Sequence, residues 1–369
     1  MKLVEFVPPT PHPLWELCPQ MGITDVIVKV NPELTGLPYP WKFETLASIV
    51  SRLKSAGLTV VGLEGDPFDM SPIKEFGERG MGNGEREEAL AHYCELLESM
   101  GRLGINLLCY NFMVGKGWSR TGVREGRGGA KATYFSLDDF SHKDHKDGLF
   151  TNDNCHNCSQ ITNADSTRST CSTRLNNTVN LVNPVKGKLI LSHEQVWANY
   201  EYFIKAVMPT AEKLGIRMGL HPDDPCLDSL GGYARIFGSI DAYDRAYSIY
   251  PSPSNAVTFC QANFKLMGVD LADAARHFGK RIAFIHIRDV EGDKTDFTEL
   301  FHDQGDVDQF ALMRVYRELG LNVPVRGDHV PEMAYDRVLT PEGTPGYFTL
   351  GRLFANGYLK ALLSERVRL

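Results

Sequence analysis

The 369-residue sequence predicts a single α/β domain with the fold of a (β/α)8 TIM barrel and a long insertion after the fourth strand. Short apolar runs alternate with runs of helical periodicity, which indicates a parallel sheet covered by helices. About eight strand-like runs occur in a chain of this length, and this number favours a closed barrel over an open sheet. The first strand-to-helix turn lacks Gly-x-Gly-x-x-Gly, so nothing indicates a dinucleotide-binding half.

Apolar and β-branched runs predict the strands, and apolar residues at helical spacing predict the helices. In chain order, the predicted strands are 3–7, 23–30, 58–64, 105–112, 216–220, 256–260, 282–287 and 323–326. Ser192 and Gln195 resemble a capping box at the start of the strongest helix, and Gly215 fits its end. The predicted helices are 41–56, 85–103, 192–214, 239–250, 271–278, 307–319 and 347–363.

Residues 119–190 interrupt this alternation, because they are polar and nearly free of apolar periodicity. A loop of this length is typically functional or disordered, so we expect an irregular insertion that is either a lid over the barrel or a passive addition. The insertion contains three cysteines, which indicate either a small zinc knot or free thiols. They are Cys155, Cys158 and Cys171.

Composition excludes several classes of protein. A net charge of −7 and a pI near 5.9 argue against a nucleic-acid-binding surface and a basic membrane patch. No apolar run reaches the length of a membrane span, and the first residues lack the apolar core of a signal peptide. The eight scattered cysteines suit a reducing compartment. We therefore expect a cytoplasmic protein that binds neither nucleic acid nor membranes.

Four residues with metal-ligand chemistry end four successive predicted strands. Since active sites of (β/α)8 barrels form where the strands end, these residues predict one site at one end of the barrel. Two imidazoles, a thiolate and a carboxylate suit Mn²⁺, Fe²⁺, Co²⁺ or Zn²⁺ and disfavour Mg²⁺ and Ca²⁺. The predicted metal ligands are His221, Cys260, His286 and Asp328.

Further polar residues surround this set. His329 adjoins Asp328, and a neutral imidazole there is a natural proton acceptor. Tyr347 is predicted to open the last helix, where its phenol is placed to donate a proton to a leaving hydroxide. Four more side chains are candidates to hold the carboxylate or hydroxyls of a substrate. They are Asn111, Arg120, Arg235 and Arg288.

At these residues the chain resembles the mannonate dehydratase family, within the xylose-isomerase-like barrels. The similarity extends from about residue 100 to the end of the chain. The most specific segments are His-Pro-Asp-Asp-Pro, from His221 to Pro225, and Asp-His, at Asp328 and His329. Other matching segments are 109–113, 118–121, 234–236, 258–260, 284–288, 297–302, 305–308, 346–347 and 350–352.

This resemblance implies a hydro-lyase that converts D-mannonate to 2-keto-3-deoxy-D-gluconate and water with Mn²⁺ or Fe²⁺. It implies the same four metal ligands, and it makes His329 and Tyr347 the catalytic pair without deciding which is the base. We expect a sugar acid as the small-molecule partner and a homo-oligomer, a dimer. One alternative is a sugar isomerase or epimerase on the same barrel, against which the thiolate of Cys260 argues. The other is an inactive sugar-binding relative.

Overall fold

Eight parallel strands form a closed barrel in the computed structural model, which describes residues 1–78, 82–115, 117–142, 150–151 and 189–364. The first strand, β1, has two pieces, Lys2–Leu3 and Glu5–Val7, separated only by Val4. The other barrel strands are β2 (Asp25–Val28), β3 (Thr59–Glu64), β4 (Leu107–Tyr110), β5 (Arg217–Leu220), β6 (Asn255–Cys260), β7 (Ile282–Ile287) and β8 (Pro324–Gly327). The predicted fold class is confirmed.

The two pieces of β1 close the barrel. Lys2–Leu3 pairs in parallel with β8, and Glu5–Val7 pairs in parallel with β2. Between them, the amide of Val4 donates to the carbonyl of Val325 at 2.9 Å. Every other neighbouring pair of strands is also parallel, so the carboxyl ends of all eight strands lie at one end of the barrel.

One outer helix follows each strand and covers the barrel with its apolar face. In chain order these helices are α1 (Leu14–Gln20), α2 (Phe43–Ser55), α3 (Asn83–Arg102), α4 (His193–Leu214), α5 (Ile240–Ile249), α6 (Leu271–Phe278), α7 (Gln309–Glu318) and α8 (Thr349–Leu363). Short helices span Pro32–Thr35, Ser71–Lys74, Leu137–His142, Gln261–Leu266 and Asp336–Leu339. Among the described helices, none has the length and hydropathy needed to cross a membrane.

The helix boundaries follow local chemistry. The Ser192 hydroxyl accepts from the amide of Gln195 and Gly215 ends α4 in the left-handed region at φ 66°, which confirms the predicted cap and stop. The helix α1 is absent from the sequence predictions because it has seven residues, includes Pro19 and follows a proline-rich turn. Tyr347 lies two residues before α8 and does not open it.

A four-stranded antiparallel sheet, here called the mouth sheet, joins the loops after β4 and β7. Its strands are ordered Val290–Asp293, Asp296–Glu299, Lys131–Ser136 and Gly122–Glu125. Ser119–Arg120 pairs separately with Phe150–Thr151. The prediction that the insertion is irregular is therefore wrong for residues 119–142. Cys155, Cys158 and Cys171, with the zinc knot predicted for them, lie outside the described residues.

A small apolar cluster lies beneath the mouth sheet. Phe135 and Phe297 are fully buried there, with ring centroids 6.0 Å apart. They pack with Phe140, Leu227, Leu230, Leu266 and Val290. This cluster attaches the two loops to the barrel.

We expect Phe297→Ala to lower the free energy of unfolding by about 3–5 kcal/mol, because it removes a buried ring and leaves a cavity. Denaturant titration measures the change. Val123→Ala is the matched control, since Val123 lies in the same sheet with 40% of its surface exposed, and we expect a change below about 0.5 kcal/mol. Equal losses in the two variants would contradict a distinct core beneath the sheet.

Candidate metal centre and active site

The four predicted metal ligands lie together at the carboxyl end of the barrel. Cys260 is the last residue of β6 and lies directly opposite His286 of β7 in the strand register. His221 follows β5, where its amide donates to the carbonyl of Tyr110 at 2.7 Å. Asp328 follows β8, where its amide donates to the carbonyl of Ile287 at 2.9 Å. The strand ends therefore fix all four positions.

The four side chains converge on a small space. One ligand atom from each residue lies within 4.8 Å of the corresponding atom of every other residue. His286 Nδ1 lies 3.6 Å from Asp328 Oδ2, and it is buried without a hydrogen-bond partner among the described residues. A buried imidazole nitrogen without a hydrogen-bond partner lowers the stability of the folded protein, unless a bound group such as a metal ion satisfies it.

The Cys260 thiol has the acidity expected of a metal ligand. Burial alone would raise its pKa, but Arg288, His221 and His286 outweigh burial and lower the pKa to about 6. The sulfur is therefore largely thiolate at neutral pH, and the thiolate is the form that binds metal. Two imidazoles, one thiolate and one carboxylate fit a borderline divalent ion, so the residues present fit a divalent metal centre.

Glu64 and Arg326 orient His286 from its other face. Glu64 ends β3, and its Oε2 lies 3.5 Å from His286 Nε2, which also lies 3.2 Å from Arg326 Nε. Arg326 pairs with Glu64 at 2.5 Å and with Asp328 at 2.9 Å. Burial opposes ionisation of Glu64, yet Arg326 and His286 lower its pKa to about 2, so the carboxylate is charged. A carboxylate behind a histidine ligand fixes the ring and raises its basicity.

We expect Glu64→Gln to weaken the affinity for a divalent metal by about 10- to 100-fold, since it removes the charged acceptor behind His286. Titration of metal-free protein with Mn²⁺ or Zn²⁺ in a calorimeter measures the affinity. Glu44→Gln on α2 is the control, because it changes the same charge away from the site. An unchanged affinity in Glu64→Gln would show that Glu64 does not orient this ligand.

His329 and Tyr347 form a hydrogen-bonded pair beside the predicted ligands. His329 Nε2 lies 2.8 Å from the Tyr347 hydroxyl and 3.6 Å from Asp328 Oδ1. The rings of Trp118 and His329 pack with centroids 4.9 Å apart. Burial and the nearby Asp328 carboxylate raise the pKa of Tyr347 well above its usual range, so its phenol stays protonated and can donate.

A buried network of charges lies behind this pair. Glu299 Oε1 lies 2.7 Å from His329 Nδ1 and accepts from Arg120 Nε at 3.0 Å. Arg120 also makes two bonds to Asp224, at 2.7 and 3.0 Å. Asp224 accepts in turn from Arg288 at 2.8 Å. Two guanidinium groups and two carboxylates thus neutralise each other with all four side chains almost fully buried.

The four predicted substrate contacts have different surroundings. Asn111 Oδ1 accepts from Lys74 Nζ at 2.9 Å, and the guanidinium of Arg120 is paired with two carboxylates. Arg235 is buried and donates to the carbonyl of Gly117 at 3.1 Å. Arg288 Nη2 is buried with no hydrogen-bond partner among the described residues. Arg288 lies beside the predicted ligands, since its Nη1 is 3.9 Å from Cys260 Sγ and 3.4 Å from Asp328 Oδ2.

Sequence reasoning did not single out Glu64, Asp224, Glu299 or Arg326 for a role in the site. Glu64 and Arg326 could have been found from the sequence. Each is the last residue of a predicted strand, and the predicted metal ligands lie at the ends of such strands. Asp224 lies in the His-Pro-Asp-Asp-Pro segment. Glu299 lies in the matching segment 297–302, but its contacts could not be found from the sequence, because its partners His329 and Arg120 are 30 and 179 residues away in the chain.

The fold and the ligand set define a (β/α)8-barrel protein with a site suited to a divalent metal ion. A family model described as D-mannonate dehydratase (UxuA) matches residues 17–367. The chain belongs to the D-mannonate dehydratase family. The predicted family and enzyme class, a hydro-lyase, are therefore confirmed.

Individual proteins agree with this assignment. The chain is 27% identical over 336 residues to mannonate dehydratase 2 of Halalkalibacterium halodurans, a match that covers 88% of each chain. It resembles the crystal structure of mannonate dehydratase from Streptococcus suis serotype 2 with a TM-score of 0.75 at 24% identity, over 98% of this chain and 92% of that one. A xylose isomerase domain protein from Planctomyces limnophilus shares the fold at a TM-score of 0.52 and 12% identity, over 98% and 95% of the two chains.

Proposed function

We propose that this protein dehydrates D-mannonate to 2-keto-3-deoxy-D-gluconate and water, with Mn²⁺ or Fe²⁺ held by His221, Cys260, His286 and Asp328. The observation that carries the proposal is the His329–Tyr347 pair, joined at 2.8 Å, beside the four converging ligand atoms. A site with a proton acceptor and a proton donor next to a divalent ion suits the removal of water from a hydroxy acid.

The substrate has two groups to anchor, its carboxylate and its hydroxyls. The divalent ion supplies Lewis-acid stabilisation of the negative charge that develops next to the carboxylate. Arg288 Nη2 is a buried donor without a partner among the described residues, and we propose that it binds a substrate oxygen. Trp118 packs against His329 and closes one side of the site.

We propose that His329 is the base and Tyr347 the acid. His329 Nε2 takes the proton from C2, while the phenol donates its proton to the C3 hydroxyl. The C3–O bond breaks and the hydroxyl leaves as water. The raised pKa of Tyr347 supports this assignment, because a protonated phenol is a donor at neutral pH.

The same pair resets itself after water has left. The phenolate of Tyr347 recovers a proton from His329 along the 2.8 Å contact. The organic product is an enol with a double bond between C2 and C3, and it becomes the 2-keto acid when the enol proton is lost and C3 gains a proton from solvent. The pair thus moves protons without net consumption.

The test is an assay of metal-free protein with D-mannonate, with and without added Mn²⁺ or Fe²⁺. We expect a 2-keto-3-deoxy acid to form only with metal, at a rate that follows the metal content. D-gluconate and free D-xylose, D-fructose and D-mannose serve as comparison substrates.

Two outcomes would contradict the proposal. Interconversion of free sugars without turnover of any aldonate would indicate an isomerase or epimerase on this barrel. Binding of sugar acids without turnover under any metal would indicate an inactive relative. The homodimer also stays a prediction, and sedimentation of the purified protein tests it separately.

A further inference from the structure

We propose that Glu299 is a positioning residue for the reaction, because it accepts a hydrogen bond from Nδ1 of the His329 ring and so keeps Nε2 facing Tyr347. This inference rests on the proposed function, since it explains how the proposed base is kept ready. It concerns a side chain that comes from the mouth sheet and not from the barrel strands.

The contacts of Glu299 leave its carboxylate a single orientation. Oε1 accepts from Arg120 through Nε at 3.0 Å and through Nη2 at 2.5 Å. Oε2 accepts from the hydroxyl of Thr133, on the neighbouring strand of the mouth sheet. Glu299 is 1% exposed, so water does not compete for these oxygens. The carboxylate is therefore a fixed acceptor.

This fixed acceptor selects one form of the His329 ring. Glu299 Oε1 lies 2.7 Å from Nδ1, a distance at which a bare ring nitrogen would meet the carboxylate lone pair against lone pair. Nδ1 must therefore carry the proton. With Nδ1 engaged by Glu299, Nε2 is the nitrogen that faces Tyr347 at 2.8 Å, and it is the one placed to exchange a proton there.

Several charged groups surround Glu299. Arg120 and Arg288 lie against Glu299 and Asp224, and Arg288 also lies 3.4 Å from Asp328. The guanidinium groups hold the Glu299 carboxylate in place independently of His329. The contact between Glu299 and Nδ1 of His329 therefore sets the orientation of the ring.

Two substitutions separate hydrogen-bond acceptance from charge. Glu299→Gln keeps an oxygen for Arg120 and His329 while its amide NH₂ faces Thr133, so we expect kcat to fall by less than about 10-fold. Glu299→Met removes the acceptor, and we expect kcat to fall by about 10²- to 10³-fold, with KM and metal content unchanged within about threefold. Glu291→Gln, on an exposed position of the same hairpin, is the control.

A kinetic isotope effect gives a second readout. With D-mannonate deuterated at C2, we expect the isotope effect on kcat/KM to rise in Glu299→Met and to stay near the wild-type value in Glu299→Gln. A loss caused by general unfolding would lower the active fraction without changing the isotope effect. Equal losses in both variants, or no loss in either, would overturn the positioning role.

The hydrogen bond itself can be measured without any substrate. In protein labelled with ¹⁵N-histidine, we expect Nδ1 of His329 to carry a proton, because it lies 2.7 Å from Glu299 Oε1. The spectrum of His329→Asn identifies its signals. An unprotonated Nδ1 in the wild-type protein would overturn the inference, even if D-mannonate is dehydrated. A protonated Nδ1 in a protein that does not turn over D-mannonate would support the inference and reject the proposed function.

Discussion

Replacing His329 with asparagine is expected to lower kcat for D-mannonate by about 10²- to 10⁴-fold while metal binding is retained. The reason is that His329 is not one of the four ligand residues, yet its Nε2 lies 2.8 Å from Tyr347 and 3.6 Å from Asp328 Oδ1. Loss of a general base typically costs this factor. Steady-state kinetics and metal analysis of the same preparation measure both properties.

A surface histidine provides the matched control for this experiment. His277 lies on α6, where it pairs with Asp244 at 2.8 Å and both side chains are largely exposed. His277→Asn should leave kcat within about twofold of the wild-type value. If His329→Asn keeps full kcat, or if its loss follows a loss of metal, His329 is not the base.

Removing the thiolate of Cys260 is expected to have the second large effect. Cys260→Ala leaves three of the four ligands, and we expect the affinity for Mn²⁺ or Fe²⁺ to fall by more than about 100-fold, with loss of turnover at ordinary metal concentrations. This loss of metal affinity should exceed the roughly 10- to 100-fold loss that is typical when a residue that only orients a ligand is replaced.

Thermal unfolding detects this loss independently of activity. A metal at 100 times its dissociation constant stabilises the folded state by about 2.7 kcal/mol, which raises the melting temperature of the wild-type protein. Cys260→Ala should show no such rise at the same metal concentration. Cys94→Ala is the control, because Cys94 is a partly exposed thiol on α3. A full metal-induced rise in Cys260→Ala would exclude the thiolate as a ligand.

The barrel and the convergence of the four proposed ligand residues could be predicted because both depend on local patterns. The strand β6 is buried on both faces and therefore reads as a continuous apolar run, and Cys260 ends it. The same holds for β7, which carries His286. Since parallel strands end at one side of the sheet, the sequence positions of these residues imply their proximity in space.

The mouth sheet and the network behind His329 depend on pairings that have no local pattern. The strand Gly122–Glu125 alternates between partly buried and exposed residues and has few apolar side chains. Its sheet is completed by Asp296–Glu299, far along the chain. Arg120 illustrates the same point. From the sequence it is a candidate substrate contact, whereas in the structure its guanidinium is paired with Asp224 and Glu299.

The barrel strands and the mouth sheet supply different parts of the site, and this has a consequence for protein engineering. The proposed metal ligands lie at the ends of β5 to β8, whereas Glu299 and Thr133 lie in the two loops that form the mouth sheet. An exchange of both loops together would therefore replace none of the proposed metal ligands. Such chimaeras would keep the proposed ion and the His329–Tyr347 pair but change the side chains that hold this pair, which offers a route to tuning proton transfer on one scaffold.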